Sequence, residues 1–183
     1  MSSQIYVAIG DTNHGWVPII FSTTEQHQHA VVYCSDVFHP FPNIKKFLGR
    51  VQRNVLPAEV TIDQESTCQT LLVRNSDQGR RLVDFAVSDG SGFDQPEKLV
   101  LCCTVKRSDL LASFDRGIAR WLVDGYDVNH FGGGYQDEPA CDVGKLWAKR
   151  LAKLPPREIK PYKPREVKWP KGFWENEKKK RSA

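Results

Sequence analysis

His27 and His29 are the first residues whose type and spacing could do chemistry. An HxH pair on a strand puts both imidazoles on one face, and a metal would need at least one more ligand. Cys34, His39 and His14 are the available choices. The pair sits in a polar run, TTEQHQH, so solvated side chains are the expectation and no metal site is assigned. Residues 132–134 are three consecutive glycines, a composition that can cradle phosphate. A phosphate loop, however, follows a strand and opens a helix, whereas this run follows a helical segment and precedes Asp137 and Glu138. It reads as a flexible connector. SDGSG at 88–92 reads as a hairpin loop. No GxSxG elbow, HExxH pair or paired-Asp calcium loop occurs, so the expectation is a protein without catalysis or cofactor.

Binding chemistry is better represented than catalysis. From Lys145 onward the chain carries fourteen Lys/Arg against four Asp/Glu, leaving twelve basic and eighteen acidic residues before it. An acidic body attracts basic partners, and the acids in predicted loops are its candidate contacts: Asp89, Asp94, Asp137, Glu138 and Asp142. The basic tail interleaves Tyr162, Trp169, Phe173 and Trp174 with cations and ends in KKKR. Cations for phosphates and rings for bases are the means of single-strand recognition. Lys163, Lys168, Trp169, Lys178, Lys179 and Lys180 are therefore the contacts for an alternative, nucleic-acid partner. The other reading of the tail is a strap whose aromatics pack on the body and whose cations neutralise it.

The elements that position these residues follow from periodicity. Short strands are predicted at 5–9, 16–22 and 30–34, separated by turn formers. Asn43 reads as the cap of a helix carrying Ile44, Phe47, Leu48, Val51 and Val55 on one side and Lys45, Lys46, Arg50 and Arg53 on the other, stopped by Pro57. The two prolines of HPFPN argue against helix before it. Strands at 59–62, 68–74, 80–87 and 98–106 follow, joined by loops too short for parallel crossovers, which makes an antiparallel meander. In RRLVDFAVS strict alternation predicts one wet face, while LVLCCTV is so continuously apolar that a central place in the sheet is expected. Ser108 reads as the cap of a second helix with Leu110, Leu111, Phe114, Ile118, Trp121 and Leu122 in one stripe. CDVGKLWAKRLAKL is a short amphipathic helix, and PREIKP and PREVKWP repeat eight residues apart in a segment suited to polyproline II. The expected architecture is α+β: an antiparallel meander with two main helices packed on it, plus a short C-terminal helix and an extended Pro-rich basic tail. It divides into an acidic body (1–126), a Gly-rich linker (127–144) and the basic helix and tail (145–183).

Five cysteines without a CxxC pair suit reduced thiols. The N-terminus lacks the pattern of a signal peptide, and no apolar run is long enough to span a bilayer, so a cytoplasmic location is expected and a membrane partner is not.

The run NIKKFLGRVQRNVLPAEVTIDQES, the meander after it and then RSDLLASFDRGIARWL resemble a bacterial immunity protein of a polymorphic or contact-dependent toxin system, over residues 44–122. That resemblance implies a small α+β partner that binds and occludes a cognate toxin without catalysis; if the toxin is basic, the acidic body speeds association. It carries over no functional residues. The repeated strands-then-helix order is also similar to Whirly and Pur-type proteins, which implies a sheet face holding single-stranded nucleic acid.

Overall fold

The computed structural model describes residues 3–12, 15–24, 28–35, 37–38, 40–65, 67–90, 98–124 and 142–155. Its elements run β1 (Ile5–Ile9), β2 (Trp16–Thr23), β3 (His29–Ser35), α1 (Pro40–Gln52), β4 (Ala58–Asp63), β5 (Cys68–Asn75), β6 (Leu82–Gly90), β7 (Lys98–Lys106), α2 (Arg107–Asp124) and α3 (Val143–Leu151). The chain is α+β, and every strand pairs antiparallel with its sequence neighbour. The strands form two sheets, ordered β1-β2-β3 and β4-β5-β6-β7.

Alternation decides what each sheet buries. In β2, Val17, Ile19 and Phe21 point inward, and in β6 Val83, Phe85 and Val87 do so. These inner faces meet, with Phe21 5.3 Å from Phe85 across the sheets and 5.5 Å from Phe114 of α2. The other face of β6, with Leu82, Asp84, Ala86 and Ser88, is only partly covered, as its alternation predicted.

The helices depart from expectation at their ends. α1 starts at Pro40, so both prolines of HPFPN lie in its first turn, where a missing N–H costs nothing because no intrahelical acceptor exists there. Asn43 is therefore inside the helix and caps nothing. Its C-terminus closes before Pro57: Asn54 takes φ 59°, its N–H bonds Val51 O at 3.1 Å, and Val55 N bonds Arg50 O at 2.9 Å. That pair of bonds is a Schellman closure with Asn in the left-handed position, and it turns Val55 out of the apolar stripe. α2 begins at Arg107, which places Ser108 within the helix, where its hydroxyl donates to Asp109 Oδ1.

β7 is an outer strand, a correction to its expected central place. Leu99 is 59% exposed, and only its second half is covered. Ser3 N donates to Thr104 O at 2.9 Å, and Gln28 Oε1 accepts from Cys102 N at 3.5 Å. Cys103 is buried and Cys102 half-buried, on opposite faces as the pleat requires.

α2 meets β1 through small residues. A Cβ on Gly117 would stand 2.7 Å from Val7 O, so only glycine permits this approach, and the Ser113 hydroxyl donates to Ile5 O at 2.6 Å one turn away. Both contacts reach the backbone of β1, one of the two outer strands of its sheet, and cover it with a helix. Leu110, Phe114, Ile118 and Trp121 are buried as predicted, with Leu111 and Leu122 partly so. α3 is capped by Asp142 and docks through Val143 and Trp147. Phe41 of α1 stacks on Trp121 at 5.1 Å and meets the edge of Trp147 at 6.2 Å, so one ring joins all three helices.

Candidate functional site

The two sheets turn different surfaces outward. On the four-stranded sheet the outer face is mixed, with Glu59, Asp63, Arg74, Asp84 and Lys106 around a Thr61–Thr70 hydroxyl contact and Leu72, Ala86 and Cys102 in a row between them. Arg74 pairs with Asp84 at 3.3 Å, and Thr104 Oγ1 donates to Asp84 Oδ1.

The outer face of β1–β3 is different. Cross-strand register places Tyr6 beside Ser22 and His29, Ala8 beside Ile20 and Val31, and Pro18 beside Tyr33. Trp16 stands at one end. Among the described residues no charged side chain lies on this face: residues 1–44 contain no Lys or Arg, and their three acids lie outside the strands. Tyr6 is 54% exposed, His29 is exposed, and Ile20, Val31 and Tyr33 are half-buried. Tyr6 OH donates to Gln4 Oε1 at 2.9 Å. Partial burial pushes the Tyr33 phenol above its ordinary value. Neutral rings flanking Ile20 and Val31 bury apolar area at small entropic cost and keep hydroxyls for directional bonds, which suits a polypeptide ligand.

A polar clasp holds the margin of this face. Gln64 Nε2 donates to Tyr33 O at 3.1 Å and also bonds Gln69 Oε1, while Ser35 Oγ donates to Glu65 Oε1 at 3.0 Å. Thr67 Oγ1 donates to Gln64 Oε1 at 3.1 Å, and Asp63 Oδ1 accepts from Glu65 N at 2.8 Å. The β4–β5 turn is thus tied to the end of β3, and it sets the Glu65 carboxylate against Ser35 there. Asp89, paired in register with Gln69, lies at the same end of the four-stranded sheet and is exposed.

Of the acids expected to contact a partner, Asp89 is therefore at the end of the four-stranded sheet that carries this turn. Asp142 lies elsewhere, capping α3: its carboxylate accepts from Lys145 N at 2.9 Å and pairs with Lys145 Nζ at 3.3 Å. The Lys145 backbone bond first, then that ion pair, hold its pKa below the usual carboxylate value. Asp94, Asp137 and Glu138 fall outside the described residues, as do Lys163, Lys168, Trp169, Lys178, Lys179, Lys180 and His27. His29 points outward from β3 and Cys34 inward, and burial raises the Cys34 thiol pKa far above its ordinary value. These two do not converge, and among the described residues no group of three His, Cys, Asp or Glu is placed to hold a metal.

Sequence reasoning missed the β1–β3 face itself. WVPIIFST is apolar on both sides of the strand, and a period of two cannot say which side is core. The available signal was the run of 44 residues without a single cation. No protein-family model, curated protein or solved structure matches the chain.

Proposed function

We propose that the chain is a non-enzymatic protein-binding protein of the immunity type, which seats a basic partner polypeptide on the outer face of β1–β3. One observation supports the reading: a face with Tyr6, Trp16, Ile20, Val31 and Tyr33 outward and no formal charge among the described residues, with the Glu65 carboxylate bonded to Ser35 at the end of β3. Interfaces place apolar and aromatic anchors at the centre and charge at the rim, where it steers encounter more than it adds affinity.

The test is co-expression with the product of the neighbouring gene, followed by calorimetry on the purified pair. Wild type should form a stable complex. Ile20→Lys, which puts a charge at the centre of the face, should weaken it at least a hundredfold while the circular dichroism stays that of wild type. Glu65→Gln with Asp89→Asn should chiefly slow association and flatten its salt dependence. Absence of a complex, or an Ile20→Lys protein that binds like wild type, refutes the reading.

A further inference from the structure

A second surface, on the helical side of the molecule, carries the opposite chemistry. Between Pro40 and Pro57 there are four cations, Lys45, Lys46, Arg50 and Arg53, and no carboxylate. The apolar side of α1 is committed to the core through Phe41, Ile44, Phe47, Leu48 and Val51, so the cations are turned outward. Lys46, Arg50 and Arg53 are exposed and Lys45 half so.

α3 extends this surface. Arg150 donates twice to Asp115 of α2, at 2.7 and 2.9 Å, and once to Gln52 of α1 at 3.0 Å. Gln52 and Lys45 are seven residues apart, two turns along one side of α1, so that side borders α3. On α3 and the turn after it, Lys149 and Lys153 are exposed, and the chain then continues into the basic, aromatic segment from Pro156.

Arg50 donates to Pro57 O at 2.8 Å, whereas Lys46, Arg53, Lys149 and Lys153 make no side-chain hydrogen bond among the described residues. Lys46 with Arg50, Arg50 with Arg53, and Lys149 with Lys153 are like-charge neighbours at three- or four-residue spacing, which destabilises a helix. Among the described residues no ion pair neutralises Lys46, Arg53, Lys149 or Lys153. A row of unpaired cations on the outside of packed helices is offset by a polyanion that releases counterions on binding. The exposed side of α1 carries no large apolar side chain to enter a bilayer. We infer that the α1–α3 surface binds the phosphate backbone of single-stranded nucleic acid, the sequence after α3 being rich in cations and aromatic rings. This goes beyond the protein-binding reading and uses a different face.

The experiment is fluorescence anisotropy of a labelled 20-nucleotide oligothymidylate with the full chain, titrated from 50 to 200 mM NaCl. Wild type should bind with steep salt dependence. Lys46→Glu/Arg53→Glu/Lys149→Glu should bind at least tenfold more weakly at 50 mM. Its salt slope should be smaller by about 2, since each phosphate neutralised on a single strand contributes about 0.7. Lys98→Glu/Lys106→Glu on β7 should stay within twofold of wild type, and Ile20→Lys should be unchanged. Should the reversals unfold the protein, the corresponding triple glutamine variant must show the same order. The inference is overturned by any of four results: no salt-dependent binding, an unchanged triple variant, an equal loss in the β7 control, or wild-type binding to phosphatidylserine vesicles but not to the oligonucleotide.

Discussion

At Gly49 and Gly117 the same residue type answers to different constraints. A Cβ at Gly49 would meet only the guanidinium of Arg53, at 3.4 Å, on the exposed side of α1, whereas at Gly117 it would strike the Val7 carbonyl. Gly49→Ala should therefore stabilise the protein by about 0.5–1 kcal/mol, the helical preference of alanine over glycine. Gly117→Ala must push α2 off β1 and should cost about 1–3 kcal/mol. Denaturant midpoints on the two variants check both; a Gly117→Ala protein as stable as wild type would mean that α2 does not sit on β1 so closely. Phe114, buried against Phe21, should cost about 3–5 kcal/mol on truncation to Ala. A loss under 1 kcal/mol would show the inward face of α2 to be wrong. Phe114 was readable from spacing alone. Ser113 and Gly117 were not, because small residues inside an amphipathic stripe look like neutral filler until a neighbouring strand is in place.

At the scale of elements, α3 is held by a cap, a ring and a guanidinium. Asp142 accepts from the Lys145 backbone, Trp147 meets Phe41, and Arg150 reaches Asp115 and Gln52. Because the Asp142 pKa is lowered in the folded chain, the stability it contributes is present above the ordinary carboxylate value and is lost as pH falls through the folded value. Acidification should loosen α3 in that window, and Asp142→Asn should flatten the response; Trp147 emission followed against pH reports it. Arg150→Met, which leaves the Asp115 carboxylate without this partner, should cost about 1.5–3 kcal/mol by chemical denaturation. Strand positions were legible because alternation in segments such as RRLVDFAVS distinguishes a wet face from a buried one. The place of β7 was not. An apolar run such as LVLCCTV reads alike in a central strand and in an outer strand whose second half is covered by Ser3 and Gln28, residues distant in the chain. The start of α1 was obscured because proline breaks a helix interior yet fits its first turn.

For the whole molecule, charge is sorted by face. Among the described residues the β1–β3 outer face is neutral and aromatic, the β4–β5 turn at the end of β3 is acidic, and the α1–α3 surface is basic. Net charge of body and tail, legible from composition, conceals this, since four of the twelve cations before Lys145 lie on the one stretch from Lys45 to Arg53. The two proposed partners, a polypeptide and a polyanion, fall on different faces and should therefore not compete. The measurement that bears most directly on the central claim is the affinity of the neighbouring gene product for wild type and for Ile20→Lys, taken side by side at one salt concentration. Wild type should bind tightly, and Ile20→Lys, melting like wild type, should bind at least a hundredfold more weakly. Equal affinities would contradict it.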